Sequence, residues 1–271
     1  MRATAQVPAI EVRHATKRFP TRSGEYTAIT DVSLTVQPGE FVTVVGPTGC
    51  GKSTTLGLIS GLTTATDGEV RVNDRPVQGI PEGLGYMFQT DAVLPWRTVL
   101  DNVAAGPRYR GTPRSEARAA AADWVARVGL AGFEHYHPHQ LSGGMRKRVS
   151  LAQTLINQPA TLLMDEPFGA LDVQTRGNMQ DLLLDLWSGS GTAVVFVTHD
   201  ITEAVALADR VVVMTAGPAT VKDVIDVTLP RPREVEEIRL TEEFLGMYRR
   251  VWDSLREEVE ITRARGANRA A

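Results

Sequence analysis

The stretch "VVGPTGCGKSTTLGLI", residues 44–59, runs an apolar segment into a glycine-rich turn, with a lysine and hydroxyl side chains beyond it. Within it "GPTGCGKS", Gly46 to Ser53, matches the phosphate-loop pattern G-x-x-x-x-G-K-[ST] in full. A buried strand delivers the chain to the edge of a sheet. Gly49 and Gly51 let the backbone curl, so that successive N–H groups form an anion nest. The helix that follows adds its positive N-terminal end. Lys52 supplies a point charge for the β and γ phosphates, and the Ser53 hydroxyl is a Mg²⁺ ligand. Thr54 is expected to reach a phosphate as well. The competing reading is a chance match in a glycine-rich turn. The apolar run before the loop and the helical pattern after it argue against chance. Gly46, Pro47, Thr48, Gly49, Cys50, Gly51, Lys52, Ser53 and Thr54 are therefore the candidate nucleotide contacts.

Working outward, the 271 residues are 42% hydrophobic and 23% charged, which suits a globular chain with a sizeable core. Net charge is −3, and nothing global calls for a polyanion partner. Basic residues are mostly arginine, so Lys52 stands out among four lysines. A single cysteine, Cys50, excludes an internal disulfide and fits a reducing compartment. Runs such as "AVVFV" and "VVVM" fall far short of the roughly 20 residues of a membrane helix. The N-terminal "MRATAQVPAIEVR" lacks a signal-peptide core. A cytoplasmic protein is expected, with any membrane role peripheral.

Short strands with turns occupy 10–45: "IEVRHATKRF", "AITDVSLTV" and "FVTVV". "KSTTLGLISGL" reads as a helix closed by Gly61, followed by strand at "GEVRV" and "LGYMF". From about 95 to 157 the pattern is mostly helical, with "SEARAAAADWVARVGL" the clearest helix. Strands return at "TLLMD", "AVVFV" and "RVVVM", with helices "DVQTRGNMQDLLLDLW" and "ITEAVALA" between them. Continuous apolar strands alternating with helices indicate a parallel sheet covered on both faces. Phe244, Tyr248, Val251, Leu255 and Val259 recur at helical spacing and predict an amphipathic helix docked on the core. The tail "TRARGANRAA" is expected to fray.

Hydrolysis needs a partner for Mg²⁺ and a group to direct water. "TLLMDEP", 161–167, is an apolar run ending in Asp165 and Glu166. Asp165 would hold Mg²⁺, and Glu166 would act as the general base. An ordinary acidic turn is the bland alternative. "LSGGM", 141–145, opens a second helix with free N–H groups at Ser142, Gly143 and Gly144. It is either a plain N-cap or a second anion site. One phosphate loop and a second half-site in the same chain point to a head-to-tail dimer, each nucleotide capped by the partner.

With "GPTGCGKST", Gln89 in "YMFQ", "LSGGM", "LLMDEP", "ALD" at 170–172 and His199 in "VTHD" in this order, the sequence resembles an ATP-binding cassette transporter ATPase over about residues 10–230. The resemblance implies a phosphate-loop ATPase core with a mostly parallel sheet, an N-terminal antiparallel β subdomain and an inserted α-helical subdomain. It implies a nucleotide-binding domain over 8–230, with the insertion at about 92–157 and a C-terminal helical extension at 231–271. It also implies ATP and Mg²⁺ as ligands. Gln89 would touch Mg²⁺ and water and relay nucleotide state to the helical subdomain. Asp172 would lie at the dimer seam, His199 would contact the γ-phosphate near Glu166, and Phe19 would stack on adenine. Each has a bland alternative: a surface glutamine, a structural histidine, a core phenylalanine. Met145 departs from the glutamine usual at that position, which puts any polar contact from it in doubt.

"AVLPWRTVLDNV", "HQLSGGMRKRVSLA", "LPRPRE" and the C-terminal helix resemble the ATPases of nitrate, sulfonate and taurine importers. The implied partners are permease subunits, a second ATPase subunit and, indirectly, a solute-binding protein, at the cytoplasmic face of the membrane and without nucleic acid. Trp96 is expected either to meet the permease or to be buried in the insertion. A soluble cassette ATPase without a permease is the alternative. His135, His137 and His139 in "HYHPH" lack a fourth ligand for structural zinc. Cys50 sits where a catalytic thiol is not expected, and alkylating it should block nucleotide binding by bulk.

Overall fold

The computed structural model describes residues 7–22 and 24–270, the last five of these by backbone alone. The chain opens with β1 (Ile10–Thr21) and β2 (Gly24–Val36), then β3 (Phe41–Val45), the phosphate loop and helix α1 (Lys52–Ile59). β4 (Asp67–Val72), β5 (Arg75–Pro76) and β6 (Leu84–Met87) follow. Four helices come next: α2 (Val99–Val103), α3 (Ala105–Tyr109), α4 (Arg114–Arg127) and α5 (Gly143–Leu155). The chain then alternates β7 (Thr161–Asp165), α6 (Val173–Trp187), β8 (Ala193–Thr198), α7 (Ile201–Leu207) and β9 (Arg210–Met214). It ends with β10 (Val221–Asp226), α8 (Val235–Ile238) and α9 (Glu242–Ala270).

Two sheets result. The first is antiparallel, in the order β2-β1-β4-β5; the second runs β10-β9-β3-β8-β7-β6 and is parallel except at β10. β3 and β8 are buried along their whole length because each has a parallel neighbour on both sides and cover on both faces. Their side chains alternate between two cores. Phe41, Val45 and Phe196 face one, with α6, α7 and α9; Val42, Val44, Val195 and Val197 face the other, with α1 and the antiparallel sheet.

Helices α2 to α5 gather round a cluster of their own that includes Val99, Val103, Ala121, Val125 and Val149. Alanines on α4 let it sit close to its neighbours. The five apolar residues expected on one face of α9 all pack on the main core, with Phe244, Val251 and Leu255 buried. α9 is longer than its apolar spacing suggests. The tail expected to fray continues as helix to Ala270, while Ala271 lies outside the described residues. β10 and α8 had no clear sequence signal. Among the described residues no helix is long and apolar enough to cross a membrane.

Candidate nucleotide site

The site stands on the carboxyl ends of parallel strands, where open α/β sheets place their ligands. β3 runs into the phosphate loop, β7 ends at Asp165, β8 is followed by His199, and β6 is followed two residues later by Gln89. Hydrogen bonding of four neighbouring strands thus fixes four functional groups that lie far apart in sequence.

Two glycines of the loop are required for different reasons. Gly49 has φ +74° with open space around it, so only its backbone conformation asks for glycine. Gly51 has φ +123°, and a Cβ there would stand 2.5 Å from Ile29 Cγ2 and 3.0 Å from the Ala28 carbonyl oxygen. Gly51 is also the N-cap of α1, with no side chain capping the helix, which leaves its first N–H groups for a ligand. Lys52 is buried, and its Nζ donates to the carbonyls of Gly46 (2.9 Å) and Pro47 (3.1 Å). The ammonium therefore sits inside the curl of the loop, preset for the phosphates.

Ser53 Oγ donates to Asp165 Oδ1 at 3.0 Å. Burial pushes the Asp165 carboxyl above its ordinary range and the neighbouring Glu166 adds to this, while Ser53 and Lys52 oppose it. Glu166 has φ +42°, a left-handed conformation uncommon for a residue with a side chain. Its N–H donates to the Val197 carbonyl at 2.9 Å, which holds the strained position. Such strain gathers at functional sites. The Glu166 carboxylate faces Gln89 Nε2 at 3.5 Å and His199 Nδ1 at 3.1 Å through the same oxygen, Oε2.

Phe19, Thr48, Gly49, Gly51, Lys52, Ser53, Thr54, Gln89, Asp165 and Glu166 all line one cleft of about 390 Å³. Tyr26 and Ala28 line it as well. The sequence reading missed both. Tyr26 lies opposite Phe19 in the β1–β2 register, and that pairing was the only available signal. Phe19 is exposed, with Lys17 Nζ 4.9 Å from its ring centroid, so it is a wall of the cleft rather than core.

The other predicted residues lie outside this cleft. Gly46 and Pro47 face a second cleft with His199, on the far side of Thr48. Cys50 turns its thiol into the core beside Leu56 and Val44, 2% exposed, and its N–H closes a turn onto the Pro47 carbonyl at 3.2 Å. Ser142 caps α5 by accepting the Met145 N–H at 3.2 Å, and Asp172 caps α6 by accepting the Thr175 N–H at 2.9 Å. These two helix starts are neighbours: a Cβ on Gly144 would meet Thr175 Cγ2 at 2.6 Å. Neither lines the cleft of its own chain. His137 and His139 stack with centroids 5.8 Å apart.

Residues 29–169 match the family model described as ABC transporter. A nitrate import ATP-binding protein, NrtD of Synechococcus elongatus, is 44% identical over 82% of both chains. A taurine import ATP-binding protein, TauB of Yersinia pestis, is 46% identical over 72% of this chain and 76% of its own. The chain belongs to the ABC transporter ATP-binding proteins. A dimeric ATP-binding cassette, solved in a post-hydrolysis state with ADP and Pi, superposes with TM-score 0.72 at 30% identity, covering 82% of this chain and 100% of that one. This ABC protein is an ATP hydrolase, with the cassette fold that the resemblance of its combined motifs implied.

Proposed function

We propose that this ABC ATPase energises an importer for a small anion such as nitrate, a sulfonate or taurine, working as a head-to-tail dimer under a permease at the cytoplasmic face. The observation that carries the dimer is the division of the site. Phosphate loop, Asp165, Glu166 and Gln89 share one cleft, while Ser142–Gly144 and Asp172 form a second helix-end surface outside it. In the proposed dimer the second surface of one chain closes the cleft of the other.

The oxygen set of Ser53, Asp165 and Gln89 suits Mg²⁺, a hard cation. Burial, with Glu166 beside it, is what raises the affinity of Asp165 for a proton, and a bound cation would favour its charged form. When bound there, Mg²⁺ would neutralise charge on the β and γ phosphates. Lys52 and the loop N–H groups hold those phosphates. Glu166 accepts a proton from the attacking water, with His199 and Gln89 orienting its carboxylate. Phe19 and Tyr26 offer aromatic surface for the base.

Gln89 also has a path to the helical insertion. Lys147 of α5, buried, donates to the Gln89 carbonyl at 2.8 Å and pairs with Asp91 at 3.0 Å. A shift of Gln89 on nucleotide binding would pull on α5 directly. Trp96 is 72% exposed rather than packed in the insertion, and Arg97 donates to the hydroxyl of exposed Tyr109 at 2.8 Å. An exposed tryptophan beside an arginine–tyrosine pair has the composition of an interface anchor. It supports contact with a permease.

The test is a tagged pull-down from native membranes in mild detergent, with mass spectrometry of the bound proteins. Recovery of a polytopic permease, reduced for Trp96→Ala, is the expected result. Recovery of ribosomes or repair factors, or of no membrane protein, would remove the transport reading and leave the ATPase standing.

A further inference from the structure

α9 passes beside the phosphate loop. Its Leu255, Val259, Thr262 and Arg263, with Gly46, Pro47, Thr48 and His199, line a cleft of about 290 Å³. A buried charge on the same helix fastens the backing of that loop. Glu258 is 6% exposed; its Oε2 accepts the Ala216 N–H at 2.8 Å, and its Oε1 lies 2.6 Å from Lys222 Nζ. Arg265, further along α9, donates to the Gly217 carbonyl.

Residues 214–219 form a strap between β9 and β10, and the strap bears on the phosphate loop. The Met214 carbonyl oxygen and Cβ lie 3.2 Å from where a Cβ on Gly46 would stand. A Cβ on Gly217 would be 3.8 Å from the Cys50 carbonyl oxygen. At its far end the strap is tied to β2: Ala219 donates to the Ala28 carbonyl at 3.1 Å and accepts from the Thr30 N–H at 2.9 Å. Ala28 and Ile29 are in turn the residues that crowd Gly51. The loop is thus held between β2 and the strap, and α9 holds the strap.

A buried carboxylate is costly unless it is paired and hydrogen-bonded, and its loss leaves the partner unpaired. Burial pushes the Glu258 carboxyl up, but Lys222 and the Ala216 N–H outweigh this and keep it below the ordinary range, so it is ionised at neutral pH. An apolar residue would pack at this place on α9 as Leu255 and Val259 do. The charge there pairs with Lys222 and grips a backbone N–H of the strap.

We propose that Glu258 is a positioning residue for ATP binding, acting through Ala216 to hold the phosphate loop in its curled form. The proposal rests on the reading of Gly46–Thr54 as the phosphate cradle. The loop's N–H groups serve only when preorganised, so slack in the strap is read as lost affinity.

The experiment uses the full chain as wild type, Glu258→Ala, Glu258→Gln and Val251→Ala. Val251→Ala removes a buried apolar side chain by which α9 packs on the main core, and leaves the Glu258–Ala216 hydrogen bond in place. Three quantities are measured: the MgATP dissociation constant, the rate of Cys50 alkylation and the melting temperature. Glu258→Ala should weaken MgATP about tenfold, as loss of a charge-assisted hydrogen bond does, and speed Cys50 alkylation. Glu258→Gln keeps an acceptor for Ala216 and should recover most of the affinity. Val251→Ala should lower the melting temperature yet leave affinity within about twofold. Wild-type affinity in Glu258→Ala overturns the proposal. So does affinity that falls in step with melting temperature in both alanine variants. Lys52→Ala separates the two readings. If it binds MgATP normally, the cradle reading fails and takes the proposal with it. If it loses MgATP while Glu258→Ala does not, only the role of Glu258 fails.

Discussion

The starts of α1 and α5, the two proposed to receive an anion, are built differently. At α1 the cap is a glycine with no side chain bond, a buried lysine stands within the curl, and a carboxylate–hydroxyl pair closes the opposite wall. At α5 the cap is Ser142, which already satisfies one N–H and lies outside the nucleotide cleft. The first is a complete cradle. The second, in the proposed dimer, is one wall of a site whose other walls belong to the partner. In the proposed dimer a chain that carries one of each, on separate surfaces, supplies half of each site. The difference also separates the energetics: groups at α1 should govern ATP affinity in the single chain, and groups at α5 should govern only what happens between chains.

Breaking the chemistry without breaking either helix start gives the largest effect. Glu166→Gln should bind MgATP like wild type and lose about 10²–10⁴-fold in turnover, the range for a general base; wild-type turnover in a steady-state phosphate-release assay would remove Glu166 from that role. Lys52→Ala strikes the α1 cradle alone. It should weaken nucleotide binding about 10–10²-fold, in line with loss of charged hydrogen bonds, and isothermal titration reads this directly. Ser142→Ala strikes the α5 wall. Loss of the cap should cost about 1 kcal/mol of stability, leave MgATP affinity of the monomer unchanged, and lower turnover only where dimers form. A fall in monomer affinity would show that the two helix starts are not separate after all. The smallest effect concerns Cys50. Burial raises its thiol pKa, against which Lys52 acts only in part, so less thiolate is present at any pH below that value. Alkylation should be slow beside an exposed thiol and slower still with saturating MgATP.

The legible parts of the fold are those in which local sequence and burial agree. "FVTVV", "TLLMD" and "AVVFV" are apolar throughout because they are central parallel strands, and the phosphate loop announces itself because its backbone admits glycine alone at Gly51. Asp165 and Glu166 could be picked out because they end an apolar strand, whereas Gln89 and His199 were reached only through the family resemblance. Tyr26 could not, since its place in the cleft follows from antiparallel register across a turn. Trp96 stood between two readings because composition does not distinguish an exposed tryptophan from a buried one. The strap and Glu258 were beyond reach for a stronger reason. Glu258 occurs in a run of charged residues on a helix, where solvated glutamates are the rule, and only tertiary packing brings it to Ala216. Cys50 shows the reverse case: its position within the motif suggested ligand contact, yet its side chain is core, which leaves only its backbone to face a ligand.

The central claim is that nucleotide joins two chains. It is tested most directly by the mass of Glu166→Gln in solution, measured by light scattering with and without saturating MgATP. A monomer that becomes a dimer on adding MgATP, and fails to do so when Ser142 is also replaced by a bulky residue, is the predicted result. A monomer at saturating MgATP, with binding confirmed by titration, would contradict it.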